Sequence, residues 1–302
     1  MTDQVRVVEV GPRDGLQNEA ATVTVEDRVT FIDNLIAAGL RTIEVGAFVS
    51  PKAVPQMANS DAVLRAVAHH ADCEFHVLVP NEKGYDAARA AGAKTVAVFA
   101  SASEGFSRAN INCSVEESIA RFAPVIARAK ADGVKVRGYI SCVLGCPFDG
   151  EVKPSAVEAV AKRLWDLGCY EISLGDTIGT GTPSKVRGLL RAVTSSVPMQ
   201  NLAMHFHDTY GQALANIYAG LEEGARILDS AAGGLGGCPY APGATGNVAT
   251  EEVVYMLEGM GIRTGVDLAK LVDASNAIGK VIGKRPASRV AAAINAGRSR
   301  RA

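Results

Sequence analysis

The stretch Ala37-Ala38-Gly39-Leu40-Arg41-Thr42-Ile43-Glu44-Val45 joins an Ala-rich amphipathic helix to a short β-branched strand through one glycine. The same unit recurs as AAGAKTVAVF at 90–99, ADGVKVRGYI at 131–140, DLGCYEISL at 166–174 and EEGARILDS at 222–230. In each copy the glycine (Gly39, Gly92, Gly133, Gly168 or Gly224) supplies the left-handed residue that ends a helix, and a strand follows within two or three residues. Further strands are expected at 5–10, 73–79 and 201–207, which makes eight. Strands that alternate with helices pair in parallel, and eight of them predict closure rather than an open sheet. The expected fold is therefore α/β, a (β/α)8 TIM barrel over about 5–262 with additional C-terminal helices over about 264–302. No Pro/Ser-rich linker or charge run divides the chain, so residues 1–302 are read as a single catalytic domain.

Composition agrees with that reading. The 302 residues suit one closed barrel, which needs ~250. A hydrophobic share of 48% excludes a disordered chain. Lys+Arg 31 against Asp+Glu 32 gives a net charge of −1, without the basic excess of a nucleic-acid binder. No apolar run approaches the ~18 residues of a membrane span. The start Met1-Thr2-Asp3-Gln4 enters a strand at once and leaves no signal peptide, so the expected location is cytoplasmic. Six cysteines form neither a CxxC pair nor a disulfide framework. Cys142 and Cys146 lack the further Cys or His residues that would finish a zinc site, and read as structural thiols.

Chemistry in such barrels sits at the C-terminal ends of the strands. Out-of-place polar residues collect there: Arg13 and Asp14 after strand one, Glu44 on strand two, Asp176 and Thr177 on strand six, His205 and His207 on strand seven. Residues i and i+2 of a strand share a face, so His205 and His207 can grip one cation or serve as hydrogen-bonded core histidines. With Asp14 at another strand end, the cation reading is favoured. Imidazole, carboxylate and amide oxygen together suit Mg²⁺ or Mn²⁺. Asp208 can support that site or cap a helix starting at Thr209. Arg13 can pair with Glu44 or Asp176, and it can also face an oxygen on which negative charge develops. Cys238 differs from the other thiols because it follows Gly233-Gly234-Leu235-Gly236-Gly237. That run is expected to form a lid, and a cation nearby would fit its thiol for proton transfer.

Seven motifs carry a family resemblance: VEVGPRDGLQNE at 8–19, FVSPKAVPQM at 48–57, NINCS at 110–114, RGYISCVLGCPF at 137–148, SLGDTIGTGTP at 173–183, HFHDTYGQALAN at 205–216 and GGLGGCPYAPGATGN at 233–247. Together they resemble the 3-hydroxy-3-methylglutaryl-CoA lyases, of the metal-dependent barrel group that also holds isopropylmalate and homocitrate synthases. The likeness runs from about residue 5 to about 283. It implies cleavage of 3-hydroxy-3-methylglutaryl-CoA to acetoacetate and acetyl-CoA. It also implies a divalent metal, Mg²⁺ or Mn²⁺, on Asp14, His205, His207 and Asn247. Arg13 would then stabilise an enolate, and Cys238 would act as acid and base. Glu44 and Asp176 would hold Arg13 and the groups on the metal, while Gln17, Asn110, Tyr139 and Thr177 would line the acyl pocket. Asp14, His205 and Cys238 all stay open as the first base. Ala47 and Ala53 depart from the family's usual serine and tryptophan and leave acyl-chain length open. Two alternatives remain: a lyase for a longer 3-hydroxy-3-alkylglutaryl-CoA, and a Claisen-type synthase acting on an acyl-CoA and a 2-oxo acid. The expected partners are an acyl-CoA and further copies of the chain, as a homodimer or higher homo-oligomer, with neither nucleic acid nor membrane.

Overall fold

The structure, a computed structural model, describes residues 3–237 and 245–300. Eight strands, β1 (Arg6–Glu9), β2 (Thr42–Ala47), β3 (Glu74–Leu78), β4 (Thr95–Ser101), β5 (Lys135–Ser141), β6 (Glu171–Asp176), β7 (Leu202–Phe206) and β8 (Ile227–Ser230), follow one another around a closed barrel. Every neighbouring pair is parallel, and β8 closes on β1 with Val8 opposite Asp229. The expected strands at 5–10, 73–79 and 201–207 correspond to β1, β3 and β7.

Around the barrel run α1 (Val25–Ala37), α2 (Ser60–Val67), α3 (Glu82–Ala90), α4 (Glu104–Ile111), α5 (Val115–Ala131), α6 (Pro154–Leu167), α7 (Pro183–Val193), α8 (Ala213–Glu222) and α9 (Thr250–Gly259). Two more helices, α10 (Leu268–Val281) and α11 (Arg289–Ser299), are appended after it. The five glycines that punctuate the sequence repeat all have positive φ, from 67° at Gly133 to 114° at Gly168. Each ends its helix in a conformation that a side chain would resist, which keeps helix-to-strand spacing uniform. Helix starts are fixed as regularly: Ser114 and Glu117 form a capping box on α5, and Asn81 caps α3. Buried Val, Ile, Leu and Ala from strands and helices form one continuous core. Among the described residues, no helix is long and apolar enough to cross a membrane.

Cys142 and Cys146 pack with Phe106 away from that core. Cys146 Sγ accepts the N–H groups of Phe148 and Asp149, both at 3.3 Å, so it shapes the turn after β5. This fits a structural thiol.

Candidate active site

Arg13, Asp14, Glu44, His205, His207 and Asn247 meet at the C-terminal mouth of the barrel. Arg13 and Asp14 lie in a wide helical turn, Gly11–Gly15, directly after β1. Gly11 is required there: a Cβ would come within 2.5 Å of the Glu9 carboxylate, which accepts the Gly11 N–H. Arg13 is almost fully buried and is held from two sides. Its Nε donates to Glu44 Oε2 at 2.6 Å, and its Nη1 donates to Asp14 Oδ1 at 2.6 Å. Burial works against the guanidinium charge, yet Glu44 and Asp14 outweigh it and hold Arg13 firmly protonated. Glu44 sits just before a register shift in β2, the kind of irregularity that re-aims side chains at a barrel rim.

Asp14 is subject to the same competition. Desolvation raises its pKa, while Arg13 and then His205 and His207 lower it more strongly, to about 2. It is an anion at any ordinary pH. His205 and His207 reach the mouth from the end of β7, with rings 5.5 Å apart. One nitrogen from each ring and one Asp14 oxygen all lie within 4.8 Å of one another. Asn247 arrives from 40 residues further on because the chain around it pairs with the end of β7. Val248 N–H donates to Phe206 O, Asp208 N–H donates to Gly246 O, and Asn247 bridges to His207. Its amide Nδ2 donates to Asp14 Oδ2 at 2.8 Å and to Leu235 O at 3.2 Å.

These residues fit a divalent cation on their own chemistry. His205 Nδ1 lies 3.2 Å from Asp229 Oδ2, which pins the ring and directs Nε2 toward Asp14, 3.9 Å away. A carboxylate behind a histidine is the usual support of a metal ligand. His207 is buried, and its pKa falls to about 4 through desolvation and then the charge of His205. It therefore stays neutral, as a ligand must, whereas His205, held toward its protonated form against desolvation by Asp229 and Asp14, would give up that proton to a cation.

Sequence reasoning missed the layer beneath. Arg137, fully buried on β5, donates to both oxygens of Asp229 (2.6 and 3.0 Å), to Glu171 Oε1 at 2.6 Å and to the Tyr139 hydroxyl at 2.7 Å. Ser173 also donates to Asp229, at 2.8 Å. A buried carboxylate that meets a guanidinium, a serine and a histidine stays ionised, and Asp229 lies far below the usual carboxylate range despite its burial. Part of the signal was present as pairs at i and i+2, Arg137 with Tyr139 and Glu171 with Ser173, whereas the pairing of Asp229 with His205 is set by the barrel's register.

The other expected residues divide. Tyr139 lies between the two arginines, its ring centroid 5.7 Å from the guanidinium carbon of Arg13 and 4.8 Å from that of Arg137. Gln17 follows the Arg13 turn, and its Oε1 is buried without a hydrogen-bond partner among the described residues. Thr177 Oγ1 accepts the Cys142 N–H at 2.8 Å and so ties β6 to β5. Asp176 is turned to its own loop rather than to Arg13, accepting N–H groups from Thr180 at 3.2 Å and Gly181 at 2.8 Å. Asn110 is exposed on α4 and is not gathered into the cluster. Asp208 accepts the Ala213 N–H at 3.0 Å, at the start of α8, so the helix it caps begins four residues later than expected.

Cys238 lies outside the described residues. The segments on either side of it pass close together: a Cβ on Gly246 (φ 90°) would come within 2.5 Å of the Gly236 carbonyl carbon. Two buried carboxyls hold the base of this neck. Glu9 accepts N–H groups from Gly11 and Ala232 and the Thr250 hydroxyl, and Glu251 accepts the Gly233 N–H and the Ser275 hydroxyl. Burial pushes both up to about 7.

The HMGL-like family profile matches residues 4–278. A Pseudomonas aeruginosa protein named 3-hydroxy-3-isohexenylglutaryl-CoA/hydroxy-methylglutaryl-CoA lyase is 58% identical over 291 residues, 96% of this chain and 97% of its own. The crystal structure of hydroxymethylglutaryl-CoA lyase from Pseudomonas aeruginosa superposes with a TM-score of 0.96 at 57% identity, covering 98% of this chain and 99% of that one. An HMG-CoA lyase from Acinetobacter baumannii in complex with coenzyme A and 3-methylmalate gives 0.93 at 36% identity, covering 97% and 96%. With a closed eight-stranded barrel, a profile match over most of its length and relatives at this identity, the chain belongs to the HMGL-like family.

Proposed function

We propose that this chain, acting as one catalytic unit over residues 1–302, cleaves 3-hydroxy-3-methylglutaryl-CoA into acetoacetate and acetyl-CoA. The observation that carries the reading is the meeting of Asp14, His205 and His207 beside a buried Arg13, in a chain 58% identical to a lyase of this name. Asp14, His205, His207 and Asn247 would hold a divalent cation, and their mixed oxygen and nitrogen donors suit Mg²⁺ or Mn²⁺. Such a cation supplies Lewis acidity toward the oxygens of the substrate.

The chain's own groups account for the rest. A base at the mouth takes the proton of the tertiary 3-hydroxyl, and the C2–C3 bond breaks as the C3 carbonyl forms. The bond's electron pair moves into the thioester as an enolate. Arg13, fixed by Glu44 and Asp14, faces that growing charge without having to reorganise. Cys238 then gives its proton to the carbon that becomes the acetyl methyl group. The relative named for an isohexenylglutaryl thioester favours a second reading, in which this mouth also accepts a longer 3-hydroxy-3-alkylglutaryl-CoA. We further expect a homodimer or higher homo-oligomer, which light scattering would register.

The test is product analysis on metal-stripped chain given 3-hydroxy-3-methylglutaryl-CoA, with and without Mg²⁺ or Mn²⁺. Cation-dependent release of acetoacetate and acetyl-CoA in equal amounts is expected. No cleavage of this thioester or of a longer homologue, by chain that binds the cation, would overturn the reading.

A further inference from the structure

We propose that Asp33, His69 and His70 form a second cation site, on the outer side of the barrel, for a borderline transition-metal dication such as Zn²⁺ or Ni²⁺. Asp33 lies in the second half of α1, and the two histidines lie in the turn between α2 and β3. Because these helices run back against the strands, this places the three at the end of the barrel opposite the mouth. One nitrogen of each imidazole and one oxygen of Asp33 lie within 4.8 Å of one another.

Several features favour a cation there. His69 Nδ1 lies 2.9 Å from Ala66 O, a carbonyl of the last turn of α2. The ring N–H donates to it, which leaves Nε2 as a lone-pair donor in the orientation that supported metal ligands adopt. The C-terminal end of a helix carries partial negative charge and favours a positive ion. The turn is also braced, with His70 N–H donating to Val67 O and Cys73 N–H donating to His70 O. His70 Nε2 lies 2.8 Å from Asp33 Oδ1, close to the spacing of two neighbouring ligands on one ion. The nearby charges leave the cluster its own anion: Asp72 pairs with Arg41 at 2.9 Å, whereas Asp33 pairs only through His70 among the described residues.

The donor set is that of the mouth without the amide of Asn247. With one protein oxygen fewer than the mouth, two imidazoles and one carboxylate follow the order in which Ni²⁺, Cu²⁺ and Zn²⁺ exceed Mn²⁺. The test is Ni²⁺ titration by calorimetry into metal-stripped full-length chain, the His69→Ala/His70→Ala variant and Asp33→Asn. A His205→Ala/His207→Ala variant reports on the mouth independently. The wild type should take up about two equivalents and each double variant about one, with Asp33→Asn weakening the second equivalent ~10-fold or more. Cleavage with Mg²⁺ should be unchanged in the His69/His70 variant, which also verifies its fold. If that variant and Asp33→Asn bind Ni²⁺ as the wild type does, the proposal is overturned, whatever the mouth binds.

Discussion

His205 and Asp229 are register partners across β7 and β8, and Asp229 Oδ2 lies 3.2 Å from His205 Nδ1. The pairing fixes which nitrogen of His205 faces Asp14, and Arg137 in turn fixes Asp229. Asp229→Asn keeps the shape but removes the charge behind the histidine. Losing such a supporting group typically costs ~10–100-fold in metal affinity. Calorimetric titration with Mn²⁺ should show that loss, and an affinity equal to the wild type's would show that Asp229 does not position the ligand.

Arg13→Met should act on turnover. The guanidinium is already paired with Glu44 and Asp14, so its contribution is greatest when the thioester oxygen gains charge. Removing a preorganised partner of that kind lowers kcat by ~10²–10³ with a smaller change in KM. Steady-state kinetics would separate the two, and a rise in KM alone would assign Arg13 to substrate binding instead.

Cys238→Ser, two residues after Gly236 in sequence, tests proton transfer separately from metal binding. Loss of a positioned acid costs ~10²–10⁴ in rate. We expect that fall in kcat together with an unaltered Mn²⁺ titration. Near-normal turnover would remove the thiol from the mechanism.

Glu9 gives a pH prediction for stability. Its folded pKa of about 7 lies above the unfolded value of ~4.3, so the folded state holds a proton that the unfolded state releases. Its contribution is fully present below the unfolded value and is lost as pH rises through about 7. Glu9→Gln keeps an oxygen for the Gly11 and Ala232 N–H groups and cannot ionise. Urea midpoints measured from pH 5 to 8 should therefore decline less steeply for Glu9→Gln than for the wild type. Parallel curves would show that the buried carboxyl is not titrating there. Asp14 has the opposite sign and titrates near pH 2, outside this window.

The barrel was legible because its punctuation is local. Gly39, Gly92, Gly133, Gly168 and Gly224 each mark a helix end by a backbone angle that few other residues adopt. His205 and His207 could be placed on one face from strand alternation, and Asp14 could be placed at a strand end. Asn247 could not be reached that way. It joins His207 through an isolated bridge to a segment beyond β8, a contact with no periodicity to betray it. Asp229 and Arg137 were hidden for another reason. Charged residues on a strand are ordinarily solvated, and only the closed barrel turns them inward, where they satisfy one another. Asp176 misled because a carboxylate beside a glycine-rich loop can serve backbone N–H groups as readily as an arginine.

The near-contact of Gly236 with Gly246 has a bearing on how such a barrel could be re-engineered. The backbones of Gly236 and Gly246 are held side by side, ten residues apart in sequence. Lengthening a connection between fixed, adjacent anchors adds only ~0.6 kcal/mol per doubling. The sequence between these two glycines can therefore be lengthened at small entropic cost, with Cys238 retained, while Arg13, Asp14, His205 and His207 keep their places.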